Sequence, residues 1–163
     1  MRVLRILTCN SLIVIAFVSW VIAQLIKTAA FYVENKTMNF KKLSESGGMP
    51  SAHSALVCSV AVATAYKYGL SSTYFSYALI LAMIVMYDAM GVRRAAGEHA
   101  RALNRIQEYL KENSMSLPEE KRFRPYTERR LDESLGHRPI EVLAGATLGV
   151  VVAVVSITFF HLA

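Results

Sequence analysis

Nine residues, "GGMPSAHSA" at positions 47–55, place two glycines, a proline, two serines and a histidine at the threshold of an apolar stretch. A helix opening there presents backbone N–H groups and the positive end of its dipole, a ready site for an anion. Gly48 and its neighbour Gly47 allow close backbone approach. Ser51 offers a hydroxyl to a ligand or caps the helix, and His53 can move a proton. Lys27, Arg93 and Arg94 suit phosphoryl oxygens, arginine in bidentate fashion. His137 can act as a nucleophile. Glu141 follows it at i+4, the spacing at which a carboxylate orients an imidazole and selects its tautomer. Asp88 lies near an apolar block, where pairing with an arginine is its natural structural role. The set contains no HxxxH with carboxylates, no DxD and no Walker loop, so it calls for neither a metal nor a cofactor. Plainer roles compete. Lys27 can snorkel to an interface, the arginines can be membrane anchors, Ser51 can be only a cap, and His99 sits among charges on a solvated face.

The elements that must position these groups are helices. Of 163 residues, 54% are hydrophobic and only 18% charged. The apolar residues gather in blocks of about 20, long enough to cross a hydrocarbon core of about 30 Å. This predicts a single all-α integral membrane domain, a helical bundle with about four transmembrane helices. The expected spans are about 11–33, 50–68, 72–92 and 140–162. A polar excursion, about 93–138, is part loop and part surface helix, its first part extending the third helix out of the bilayer. Arg2 and Arg5 precede the first block, and "VIA" before Gln24 resembles a signal-peptide cleavage site. The block is longer than a signal h-region and continues past Gln24, which favours a retained helix.

The net charge of +6 fits positive loops beside a membrane, with no nucleic acid as partner. The positive-inside rule puts residues 34–48 and 93–138 in the cytoplasm, against the contrary vote of Arg2 and Arg5. Lys27, Gly47–His53, Asp88–Arg94 and His137–Glu141 all fall at that end of the bundle, whereas His161 falls at the other. Ionisable groups at membrane depth are functional candidates by default. Cys9 and Cys58 read as small buried hydrophobes. Gly145 and Gly149 form a GxxxG that permits close helix approach and leaves a homo-oligomer open.

"GGMPSAHSA" resembles the PSGH motif of the type 2 phosphatidic acid phosphatase and vanadium haloperoxidase superfamily. Arg93, five residues and His99 in "VRRAAGEH" resemble its SR-x5-H-x3-D block. With "AQLIK" (23–27), "MYDAMGVRRAAGEHARALN" (86–104) and "GHRPIEV" (136–142), the chain is most similar to the divergent bacterial and plant branch of related membrane proteins. The resemblance implies a helical membrane protein that hydrolyses a phosphate or pyrophosphate ester on a lipid or isoprenoid carrier. It assigns proton donation to His53 and attack on phosphorus to the histidine of the later block, with a carboxylate behind it. Here Leu103 stands where that carboxylate would be, whereas His137-x3-Glu141 recreates histidine and acid on another helix. His137 is therefore the expected nucleophile, forming a phosphohistidine, with Glu141 its orienter and His99 the second choice. The superfamily's K-x6-RP is not reproduced, since Glu34 and Asn35 stand at that spacing from Lys27. The expected function is a metal-independent phosphatase acting on a lipid entering from the bilayer. The alternative is a non-catalytic binder or translocator of phosphorylated lipids.

Overall fold

The computed structural model describes residues 10–36, 47–114 and 130–160. The expectations on Arg2, Arg5, Cys9 and His161, and most of the polar stretch 34–48, lie outside the described residues. The described residues form five helices: α1 Ser11–Asn35, α2 Ala52–Tyr68, α3 Thr73–Met90, α4 Val92–Ser114 and α5 Pro139–Phe160. No strand occurs among the described residues, so the fold is an all-helical bundle.

Local chemistry sets most boundaries. Asn10 caps α1, its side-chain oxygen accepting from the N–H groups of Leu12 and Ile13. Ser51 caps α2 by accepting from Ser54 N–H, and Ser72 caps α3 by accepting from Phe75 N–H. Gly69 ends α2 with φ +84, a positive-φ backbone that glycine adopts without a Cβ penalty. α3 does not run straight on into α4. Gly91, with φ −98 and ψ −90, leaves helical geometry between them.

Among the described residues, three helical stretches are long and apolar enough to cross a membrane: Ser11–Val33, Thr73–Asn113 and Pro139–Phe159. In the second of these the apolar part is α3. α2 has 17 residues, about 25 Å of helix. It occupies the middle of the bundle, packed on α1, α3 and α5. Its inward positions are small: Ala52, Ser54, Ala55, Ser59, Ala61 and Ala63 are buried. Small side chains let helices approach closely where lipid supplies no hydrophobic drive between them.

The GxxxG of α5 completes that contact from the other side. A Cβ on Gly145 would collide with the Ser51 carbonyl, and one on Gly149 with the Ala55 carbonyl. This GxxxG therefore joins two helices of one chain. Ile15, Ala63, Ala153 and Ile157 form one core cluster, and Ala23, Ala52 and Ala55 a second beneath Trp20 and Leu148.

α3 buries only Ala82 and Ala89 and turns Tyr77, Leu81 and Ile84 outward. In a bilayer that face meets lipid. Exposed tyrosines mark both ends: Tyr66, Tyr68, Tyr74 and Tyr77 near the α2–α3 turn, Tyr32 and Tyr87 near the other end. Such girdles favour the two headgroup regions.

Candidate functional site

A cavity of about 850 Å³ opens at the Tyr32–Tyr87 end of the bundle. α1 contributes Lys27, the turn before α2 contributes Gly47–Pro50, and α4 contributes Arg94, Glu98 and Arg101. The remaining polar wall is a strap, residues 131–138, that crosses α4 and leads into α5 with Glu141. Ile26, Phe31, Ala144 and Leu148 form an apolar flank.

Lys27 is only 6% exposed. Its aliphatic stem passes Gly48, where an added Cβ would lie 3.3 Å from Lys27 Cδ. Gly48 also holds φ +97, so both its missing side chain and its backbone freedom are used.

His137 is the most unusual group in the wall. It is 3% exposed, and neither ring nitrogen has a hydrogen-bond partner among the described residues. Buried polar groups are rarely left so, because each unmet bond costs free energy that a ligand or water would recover. The backbone is firmly placed: His137 N–H donates to the Ala89 carbonyl at 3.0 Å. Burial pushes the imidazole below the ordinary histidine value near 6.5; Glu141 opposes that, while Lys27, His53 and Arg93 add to it. The shift favours the uncharged ring, the form that can act as a nucleophile.

The sequence profile of the divergent PAP2 family matches residues 8–152. The chain belongs to the divergent PAP2 family. This divergent PAP2 protein is also 35% identical, over 144 residues, to the "uncharacterized membrane protein YuiD" of Bacillus subtilis (strain 168). That alignment covers 86% of the chain and 89% of YuiD. No solved structure matches the chain. The family match takes in every residue of the cavity wall, from Ile26 to Leu148.

Of the groups singled out in the divergent PAP2 sequence, Lys27, Gly48, Arg94, His137 and Glu141 share the cavity wall. His53 lies beside it, exposed on the first turn of α2, within electrostatic reach of Arg93, Lys27, Asp88 and His137. Asp88 and Arg93 pair at 2.6 Å across the Gly91 break, both partly exposed and off the cavity lining.

Besides Arg93, expected on phosphoryl oxygens but paired with Asp88 off the cavity lining, three placements differ from the sequence expectation. Ser51 is fully buried as the α2 cap; its hydroxyl accepts from Ser54 N–H and Ser54 O–H, and its N–H donates to the Glu141 carbonyl. Ser51 thus ties α2 to α5 instead of facing the cavity. Glu141 does not hydrogen-bond His137. α5 begins at Pro139, so His137 lies before the helix and the i+4 rule does not apply to it. The Glu141 carboxylate accepts from Arg138 N–H at 3.0 Å, half of a capping box, and reaches His137 by charge alone. His99 is exposed on α4, away from the cavity formed by Arg94, Glu98 and Arg101.

The divergent PAP2 site also uses residues that no motif in the sequence marks. Asn104, 2% exposed, acts like a strand partner for the strap. Its oxygen accepts from Leu131 N–H at 3.0 Å, and its amide donates to the Leu131 carbonyl at 3.0 Å and to Glu133 at 2.7 Å. The Asn104 hydrogen bond holds the Glu133 carboxyl below the usual range; burial opposes this, and Arg130 and Arg101 add to it. Gly136, at φ +87, and Gly97 let the strap lie against the α4 backbone, since a Cβ on Gly136 would strike Arg94 and one on Gly97 the Leu135 carbonyl. A mid-helix asparagine is the one local hint of this anchor, because asparagine is a poor helix former. Asn104→Ala is expected to cost about 1–3 kcal/mol by orphaning buried backbone groups of the strap. Thermal unfolding in detergent measures this, and an unchanged midpoint would refute the anchor.

Proposed function

We propose that this protein is a membrane phosphatase that hydrolyses a lipid or isoprenoid phosphate or pyrophosphate. The observation that carries the reading is His137, a buried imidazole with neither ring nitrogen hydrogen-bonded among the described residues, in the wall of a cavity supplied with Lys27, Arg94 and Arg138. Family membership supports the same reaction class.

In the proposed mechanism a ring nitrogen of His137 attacks phosphorus. The bond from phosphorus to the carrier oxygen breaks, and His53 gives that oxygen a proton. Water then attacks the phosphohistidine, returning a proton to His53 and releasing inorganic phosphate with His137 restored. Lys27, Arg94 and Arg138 stabilise charge on the transferring phosphoryl oxygens, the main demand of such transfers. Ile26, Phe31 and Leu148 receive the first part of an apolar tail. α2 serves as a fourth, short span, and the positive-inside rule sets the cavity on the cytoplasmic side.

A second reading, binding or translocation without turnover, draws support from the missing Glu141–His137 hydrogen bond, which leaves the imidazole without the orienting contact of a triad. Purified protein given a panel of lipid and isoprenoid mono- and pyrophosphates separates the two. Release of inorganic phosphate supports the phosphatase, whereas saturable binding without release supports the carrier.

The depressed pKa of His137 makes a further prediction. The base form persists below the ordinary histidine value, so the acid limb of kcat/KM should fall below pH 6.5. A limb above 6.5 would mean that His137 is not the group that must be deprotonated.

A further inference from the structure

α4 carries two faces with different destinations. Arg94, Glu98 and Arg101, at i, i+4 and i+7, line the cavity. Gly97 and Asn104, between that face and the next, hold the strap. About 145° around the helix from the cavity face, at 3.6 residues per turn, runs an apolar stripe of Val92, Leu103, Ile106 and Leu110. Tyr109 widens it, and every one of these side chains is exposed.

We infer that the stripe of α4 lies in the headgroup region of an anionic bilayer surface, making α4 an interfacial helix. Its starting point argues for this. α4 begins one residue past Gly91, and Tyr87, 74% exposed on the lipid-facing side of α3, lies just over one turn before that break. The stripe therefore continues a lipid-facing surface at the level of an aromatic girdle.

Charge argues for the same partner. α4 holds five cations, Arg93, Arg94, Arg101, Arg105 and Lys111, against three carboxylates, Glu98, Glu108 and Glu112. Arg93 and Lys111 border the stripe on one side, placed to meet anionic headgroups, whereas Arg105 falls on the cavity side of the helix. A second copy of the chain is a poorer occupant. Ala95, Ala102 and Tyr109 broaden the apolar arc beyond a coiled-coil seam, and His99, in its middle, would lose its hydration there but keeps it among headgroups. In this position the opposite face of α4 holds the cavity at headgroup height.

The inference does not depend on the cavity being catalytic, and its test is separate. Single spin labels go on Leu103→Cys, Ile106→Cys and Leu110→Cys, and on Arg105→Cys, Glu108→Cys and Glu112→Cys, in a Cys9→Ser, Cys58→Ala full-length chain. The protein is reconstituted in vesicles of phosphatidylglycerol and phosphatidylcholine. Labels at 103, 106 and 110 should collide several-fold more with oxygen than with a water-soluble nickel chelate, and labels at 105, 108 and 112 should show the reverse. The contrast should shrink in pure phosphatidylcholine. Equal nickel access at both sets would overturn the proposal, as would stripe labels shielded from both reagents with spin–spin broadening between copies. A contrast unchanged in phosphatidylcholine would overturn the preference for anionic lipid.

Discussion

His137→Ala is expected to reduce phosphate release to background while the protein remains folded. The ring makes no hydrogen bond with the described residues, so its removal orphans no partner. The backbone bond from His137 N–H to the Ala89 carbonyl survives the substitution. Acid-labile phosphate captured on the wild-type chain during turnover should be absent from this variant. His53→Ala should slow turnover by about 10²–10⁴-fold, the usual contribution of a general acid, and still form the phosphohistidine. His137→Gly offers a stricter check, because imidazole supplied in solution can occupy the emptied place and restore part of the rate. Full activity in His137→Ala would reject the nucleophile. Equal loss in both variants, together with lost lipid binding, would point to damage to the cavity instead.

Gly145→Ala is expected to destabilise the bundle by about 1–3 kcal/mol, the usual cost of overpacking a tight contact. The new methyl would meet backbone, the Ser51 carbonyl, which cannot rotate away as a flexible side chain could. α5 must then move from α2. The Ser51 N–H to Glu141 carbonyl bond lies at the same crossing, so the displacement also moves the segment bearing His137. Stability and phosphate release should fall together. Thermal unfolding in detergent reads the first, with Val151→Ala on the exposed side of α5 as a control expected to stay within about 0.5 kcal/mol. If Gly145 instead served contacts between chains, the substitution would change oligomer mass and leave the monomer's melting unchanged.

Much of this architecture was legible from the chain alone, because its causes are local. The expected blocks 11–33, 50–68, 72–92 and 140–162 correspond to α1, α2, α3 and α5 within a few residues. Apolar runs of this length, serine and asparagine caps, and a glycine stop act over a few residues. Alternation of helices then brings Lys27, residues 47–53, 88–94 and 137–141 to one end, whatever their packing.

Which of those groups meet depends on contacts between segments far apart in the chain. Asn104 and Leu131 are 27 residues apart, and no local pattern connects them; their pairing creates the strap that forms the cavity's polar wall. The spacing of His137 and Glu141 suggests contact only if both are helical, and the start of α5 at Pro139 removes that condition. Ser51 carries the right chemistry for an anion, but its hydroxyl and N–H are taken by Ser54 and Glu141. Which residues become helical and which end of the bundle is polar follow from near neighbours in the chain, since period, length and capping act locally. Burial and hydrogen-bond partners, in contrast, come from distant segments, and these leave both His137 ring nitrogens without a partner among the described residues while Ser51 and His99 turn elsewhere.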